Sequence, residues 1–541
     1  MKRNLNLLLA SIFIISSCTQ VENQTSNDSK EELSESPEEI SSSTNEENLS
    51  TVEESSTHDT VEESMSSLID DSVESNEESI DSSLEDSSEE SESSIKSTEE
   101  TKPSVVRETK DMSYYLGKDG DVYRMNINTD DGTFPQNKND YIQGSISITD
   151  QSKEEVLLPS STMGIKLRGN STLEGKKKPF KIKFDKKQSL FGLKKAKKWV
   201  LLANYFDKTN VRNYLAYLMG RKMTNLSFQP SSIFVDVYFN DQYYGLFLLT
   251  EQMEAKEGRV EVEDIKNSDG IDSFFFEADA RAADELRGLE DKAWFRVGNY
   301  VMAPKYPDPD DYVEAQGNLE SEDEAVRTKA QEFITQFEKD TQWLKAFTTS
   351  ALDAVHTHTA YDKYIDVESF IDYYLIEEFF KNVDVGSTSQ YYYIDQSEEN
   401  PVIHAGPVWD FDISSGVTGN PNPYYTYINT QLFVRERDQF TKYLFRDASF
   451  SERVRIRYNQ LREEVFLGVF DDLANIKEIL SVAQERNLNR WPLTYYVKEA
   501  WIEQYAYGDD YCALPDLNAH YDHLENFLRE RLALLDDVYG W

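Results

Sequence analysis

Residues 19 to about 110 set the first limit on what this chain can fold into. The stretch is built of Ser, Glu, Asp and Thr and lacks Phe, Trp and Tyr. It cannot bury enough apolar surface to offset the conformational entropy that folding costs. Thr19 to Glu100 holds 27 acidic residues against Lys30 and Lys96, an excess of 25 in a chain whose net charge is −44. Like charges repel, so an extended linker is expected. Thr51-Val-Glu-Glu-Ser55 returns as Thr60-Val-Glu-Glu-Ser64, a slipped low-complexity repeat. A folded domain is therefore expected in residues 111–541, which are ample for a large core.

The segment ahead of the linker reads as a processing signal. Lys2 and Arg3 precede an apolar run from Leu5 to Ile15, too short for a bilayer core of about 30 Å. Ile15-Ser16-Ser17-Cys18 resembles the lipobox of a bacterial lipoprotein, which implies cleavage before Cys18 and a lipid, such as palmitate, on its thiol. Membrane attachment through this lipid anchor alone is expected, with the protein on the extracellular face of the bacterial cell membrane. Cys512 is the second of two cysteines, so neither a disulfide in the folded part nor a Cys-based zinc site is expected. The acidic balance argues against nucleic acid as a partner.

From about Asp111 onward, aromatic residues become frequent. Ser145–Thr149, Gly164–Arg168 and Phe180–Phe184 alternate as strands do, the last with Lys181 and Lys183 on one face. A helix is expected from Lys208 to Met223, with Val211, Leu215, Leu218 and Met219 on one side. Ile233–Phe239 and Tyr244–Leu249 flank Asn240-Asp241 and read as a hairpin. Ser273–Glu277 is a further strand. The second half reads as mainly helical. Ser321–Phe347 is amphipathic, Asp366 is placed to cap a helix running to Lys381, and helices follow from Thr430. Tyr391–Ile394 is a short strand that leads to Val402-Ile403. This is an α+β arrangement, β-rich then α-rich, which is also the bilobal order of protein kinases.

Two constellations carry chemistry. Lys166 to Lys198 contains 13 Lys or Arg against Glu174 and Asp185, a basic island that includes Arg168-Gly-Asn-Ser-Thr172. Such a cluster attracts phosphates or an acidic polypeptide. The second is a pair of acidic turns, Asn382-Val-Asp384 and Pro407-Val-Trp-Asp-Phe-Asp412. Hard oxygen ligands for Mg²⁺ and a carboxylate for a hydroxyl proton are what phosphoryl transfer requires. A solvated basic face and turn-capping aspartates are the bland alternatives. The chain has no G-x-x-x-x-G-K-[ST] loop, no H-E-x-x-H, no G-x-S-x-G and no standard kinase H-R-D or D-F-G.

The runs Ile165-Lys-Leu-Arg-Gly-Asn-Ser-Thr172, Lys178-Pro-Phe-Lys-Ile-Lys-Phe184, Lys198-Trp-Val-Leu-Leu-Ala-Asn204 and Arg212-Asn213 resemble the CotH family of spore-coat kinases. So do Tyr244-Gly-Leu-Phe-Leu-Leu-Thr-Glu-Gln252, Asn382-Val-Asp384 and Gly406-Pro-Val-Trp-Asp-Phe-Asp412, in order over about residues 140–450. The resemblance implies an atypical secretory-type kinase fold that moves phosphate from ATP, with Mg or Mn, to Ser or Thr of secreted or surface proteins. Carried over, Asp384 matches the catalytic aspartate and Asp410 the metal-binding aspartate, with Asp412 assisting. Lys181 and Lys183 are both candidates for the ATP phosphates, with Arg168 nearby. Glu251 is placed either to pair with that lysine or to sit in a hinge. Ser389 stands five residues after Asp384, where ordinary kinases place Asn. The serine-rich acidic linker reads as a stalk and, secondly, as an acceptor for the domain's own activity. Two other classes stay open: a non-catalytic surface adhesin or scaffold, and a carbohydrate-active enzyme using Asp410 and Asp412.

Overall fold

The computed structural model describes residues 106–418, 431–493 and 509–540. Cys18, nearly all of the acidic linker and the helix start expected at Thr430 lie outside the described residues.

Seven strands form a closed barrel: β1 (Tyr123–Thr129), β2 (Ile142–Thr149), β3 (Val156–Leu167), β4 (Phe180–Gln188), β5 (Ala196–Leu202), β6 (Ser232–Phe239) and β7 (Gln242–Glu251). Neighbours pair antiparallel, except where β1 runs parallel to β6 and closes the ring. Alternation drives the local choice of strand. Phe180, Ile182 and Phe184 of β4 point into the core, while Lys181 is half-buried and Lys183 exposed. Asn240 and Asp241 both take positive φ, 48° and 65°, the backbone a two-residue hairpin turn needs to match strand twist. The expected hairpin is therefore present as β6–β7. Gly164–Arg168 is the tail of the longer β3.

A second sheet of five strands has the order β12 (His404–Ala405), β11 (Gln390–Ile394), β8 (Phe274–Ala278), β10 (Tyr300–Tyr306), β9 (Phe295–Val297). Phe275, Phe276, Tyr391 and Tyr392 stack across β8 and β11. The register Ala278↔Gln390 sets the end of β8 beside the start of β11.

Helices fill the second half. Glu324–Thr357 begins at an Asp323 cap and is longer than the expected Ser321–Phe347. Val367–Phe380 begins as expected at Asp366, which accepts the Glu368 N–H, and stops at Lys381 in the left-handed region. The helix expected over Lys208–Met223 spans only Arg212–Lys222. Residues 207–210 form a turn instead, because Asp207 accepts the N–H groups of both Thr209 and Arg212. Its expected one-sided apolar face is also corrected: residues 212–220 are all buried, so this helix has no solvent side. The main hydrophobic core runs without a break from barrel to helices around it. Among the described residues, no helix is long and apolar enough to cross a membrane.

Candidate active site

Both acidic turns reach one cavity of about 340 Å³, whose other wall comes from the barrel. The first turn follows the helix Val367–Phe380. Asn382 Oδ1 accepts the Asp384 N–H at 3.2 Å, and the Asp384 carbonyl accepts the N–H groups of Ser387 and Thr388. Gly386, at φ 87°, donates its N–H to Gln390 Oε1. Burial, followed by the charge of Asp410, pushes the Asp384 carboxyl up to about 7; Arg281 and Arg437 pull the other way.

The second turn is held by the helix Arg212–Lys222. Asn213 Oδ1 accepts the Phe411 N–H at 2.7 Å, and the Tyr217 hydroxyl accepts the Asp410 N–H at 3.4 Å. Tyr217 also stacks on Trp409 with ring centroids 5.3 Å apart. Arg212, fully buried and paired with Asp207, donates to the carbonyls of Ser414 and Ser415. The Arg212-Asn213 dipeptide is thus the bracket of the acidic turn, not part of the cavity wall's charge. Asp410 adopts φ 68° and Ser389 φ 59°, and the Ser389 hydroxyl donates to Asp410 Oδ2 at 3.2 Å. Asp412 is buried, and burial with the charges of Asp410, Asp384 and Asp207 raises its carboxyl well above the usual range.

On the barrel wall, Lys166 of β3 lies directly across from Lys181 of β4, with Arg168 beyond the end of β3. Like charges set opposite each other destabilise a sheet. None of the three makes an ion pair with a described residue, although Lys138 nearby pairs with Glu285. Burial lowers Lys181 to about 8, helped by Lys198, Lys166 and Arg168. Gly169, at φ 85°, has no room for a side chain: a Cβ would lie 2.4 Å from Thr172 Oγ1. Arg168 also sits over Trp409, 5.7 Å from the ring, so it spans from the barrel to the second acidic turn.

The expected site residues separate at this point. Asp384, Asp410, Asp412, Arg168 and Lys181 share the cavity; Lys183 and Glu251 do not line it. Lys183 projects outward, 5.8 Å from the Tyr141 ring. Glu251 is buried at the end of β7, where it pairs with Arg259 and accepts the Ser231 N–H at 2.9 Å. The pairing of Glu251 with a strand lysine is therefore corrected. The wall formed by β8 and β10 escaped sequence reasoning. There Glu277 pairs with Lys305 at 2.9 Å and Asp279 with Arg281 at 2.9 Å. The signal was the alternation Glu277-Ala-Asp279-Ala-Arg281 at the end of an aromatic strand.

The model of one family, described as CotH kinase protein, matches residues 165–535. This chain belongs to that family. No curated protein matches the chain. The family match spans both acidic turns, Lys166 and Lys181 of the barrel wall, and nearly all of the C-terminal helices; it starts later than the roughly 140–450 in which the motifs lie and runs past its end.

The donor set suits the metal that such a family implies. Asp410, Asp412 and the Ser389 hydroxyl are hard oxygens, the ligand type Mg²⁺ and Mn²⁺ prefer. Among the described residues, no three or more His, Cys, Asp or Glu are grouped to hold an ion by themselves. Two carboxylates are the usual protein share for an ion that also binds phosphate oxygens and water.

Proposed function

We propose that this protein is a protein kinase that moves the γ-phosphoryl group of ATP to a Ser or Thr hydroxyl of a secreted or surface protein. One observation carries the reading: Lys166, Arg168 and Lys181, in no ion pair with a described residue, line one cavity with Asp384 and Asp410. Desolvated cations without carboxylates favour an anionic ligand, and the opposed carboxylates suit its transfer to a hydroxyl. In this reading the barrel acts as the nucleotide lobe of a bilobal kinase and the helical half as the catalytic lobe.

Lys181, Lys166 and Arg168 hold the phosphates, and Gly169 allows the backbone to approach them. Asp410 and Asp412, with Ser389, would hold Mg²⁺ or Mn²⁺, which when bound neutralises charge on the phosphate oxygens. Asp384 orients the acceptor hydroxyl and takes its proton. The bond from phosphorus to the bridging oxygen breaks as the bond to the hydroxyl oxygen forms. ADP leaves with the electron pair, and the proton passes from Asp384 to solvent. A carboxyl that burial raises above the usual range is matched to that task near neutral pH.

The test is phosphate incorporation from labelled ATP into a serine-rich acceptor with Mg²⁺ or Mn²⁺. Asp384→Ala and Asp410→Ala are each expected to remove it. Equal labelling by wild type and both variants would sink the assignment. Nucleotide binding without transfer by the wild type would favour a non-catalytic scaffold.

A further inference from the structure

The proposed chemistry leaves Arg281 without a task. Lys138 is matched by Glu285 at 3.1 Å and Lys305 by Glu277 at 2.9 Å, both through the charged end of the lysine. Arg281 is held differently. Asp279 Oδ1 accepts from its backbone N–H at 3.0 Å and from its Nε at 2.9 Å. Both bonds approach from one side, and the two terminal nitrogens of the guanidinium make no hydrogen bond with a described residue. The side chain keeps 35% of its surface exposed while lining the cavity.

We propose that Arg281 is a further catalytic residue, whose terminal nitrogens contact the transferring phosphoryl group between Asp384 and Asp410. The assignment rests on the phosphotransfer reading. Three features carry it. First, the loop bearing Arg281 is tied to the Asp384 turn by backbone: the Ala280 N–H donates to the Ser387 carbonyl at 2.8 Å, and the Ser387 N–H donates to the Asp384 carbonyl at 3.0 Å. Secondly, the guanidinium lies within electrostatic reach of both acidic turns. It lowers the Asp384 carboxyl; on Arg281 itself burial opposes the charge, and Asp279 and then Asp410 favour it. Thirdly, the clamp is a preorganised one. Asp279 fixes the plane from the Nε side and leaves a fork of donors with no hydrogen bond to a described residue, the arrangement that suits phosphate oxygens in pairs.

During transfer, charge is spread over the three non-bridging oxygens while the bond to ADP breaks and the bond to the hydroxyl forms. A fixed guanidinium at that point stabilises the transition state more than bound ATP. It has no part in the proton, which goes to Asp384.

The experiment compares full-length wild type, Arg281→Ala, Arg281→Gln and Arg281→Lys. It measures thermal unfolding, affinity for a non-hydrolysable ATP analogue, kcat and KM for ATP, and transfer with added guanidinium chloride at low millimolar concentration. Arg281→Ala and Arg281→Gln are expected to lose at least about 100-fold in kcat, the usual cost of one preorganised donor. KM and analogue affinity should change less than about threefold, and guanidinium should restore part of the rate of Arg281→Ala, since it refills the site. Arg281→Lys should fall between, because a point charge replaces the fork. Unchanged kcat in an active protein would overturn the assignment alone. So would a loss confined to KM or to unfolding temperature without rescue, which marks a structural brace for Asp279. A wild type that transfers no phosphate overturns the phosphotransfer reading, and this assignment with it.

Discussion

Replacing Asp384 with Asn should abolish phosphate transfer and yet stabilise the fold. The carboxyl rises from 3.8 to about 7 because burial and the charge of Asp410 both disfavour its ionised form. At about 1.4 kcal/mol per pH unit, three units correspond to about 4 kcal/mol lost on ionising this group in the folded state. That figure, already net of the attraction of Arg281 and Arg437, is a ceiling for the gain, since the amide brings two N–H donors that the buried site must satisfy; about 1–3 kcal/mol is expected. The sign follows from the linkage. The folded state binds this proton more tightly than the unfolded chain, so wild-type stability falls as pH rises from about 4 and levels off above about 7. The variant has no such group, and its advantage should be absent near pH 4, grow through pH 5–6 and be constant above about 7. Thermal or urea unfolding of wild type and Asp384→Asn across this range, with EDTA present to keep cations out, reads it directly. A difference that does not vary with pH, or a variant less stable than wild type at pH 8, would refute the reasoning. In parallel, kcat/KM of the wild type should climb with pH to a plateau, with the midpoint below 7 because a cation on Asp410 offsets the charge that helps to raise Asp384.

Other substitutions check the rest of the site. Lys181→Ala should raise KM for ATP about 10- to 100-fold, the loss of one charge-assisted phosphate contact, whereas Lys183→Ala should leave it within about twofold; equal effects would reject the choice between them. Arg212→Ala should cost about 3–5 kcal/mol in urea unfolding, since Asp207 is left buried without its counter-ion. It should also silence transfer below the unfolding transition, as the carbonyls of Ser414 and Ser415 lose their donor. For the expected surface anchor, Cys18→Ala should lose incorporation of labelled palmitate and release the protein from cell membranes; retention of both would reject the lipid reading.

Local patterns made much of the fold legible. Period-two alternation located β4, the Asn240-Asp241 pair located a hairpin, and the Asp366 cap located a helix start, because each depends on neighbours a few residues apart. The acidic turns were legible for a similar reason: each is a short run of neighbouring residues, and both line one cavity. Other features had no local trace. The helices Arg212–Lys222 and Val367–Phe380 are buried on nearly every side, so the apolar face read from Val211, Leu215, Leu218 and Met219 marks no boundary with solvent.

Composition by itself set the expectation that residues 19 to about 110 form no core of their own, and it marked the basic island within an otherwise acidic chain. Tertiary structure decided which charges meet. Lys181 and Lys183 differ by two residues and share a strand, yet only Lys181 lies where the barrel wall meets the cavity. Glu251 is claimed by Arg259, eight residues on, and Arg281 reaches the Asp384 turn only because β8 and β11 are paired. The physical reason is range. Side-chain alternation and capping act over one to four residues, whereas a site built on opposed charges depends on the registry of strands more than a hundred residues apart.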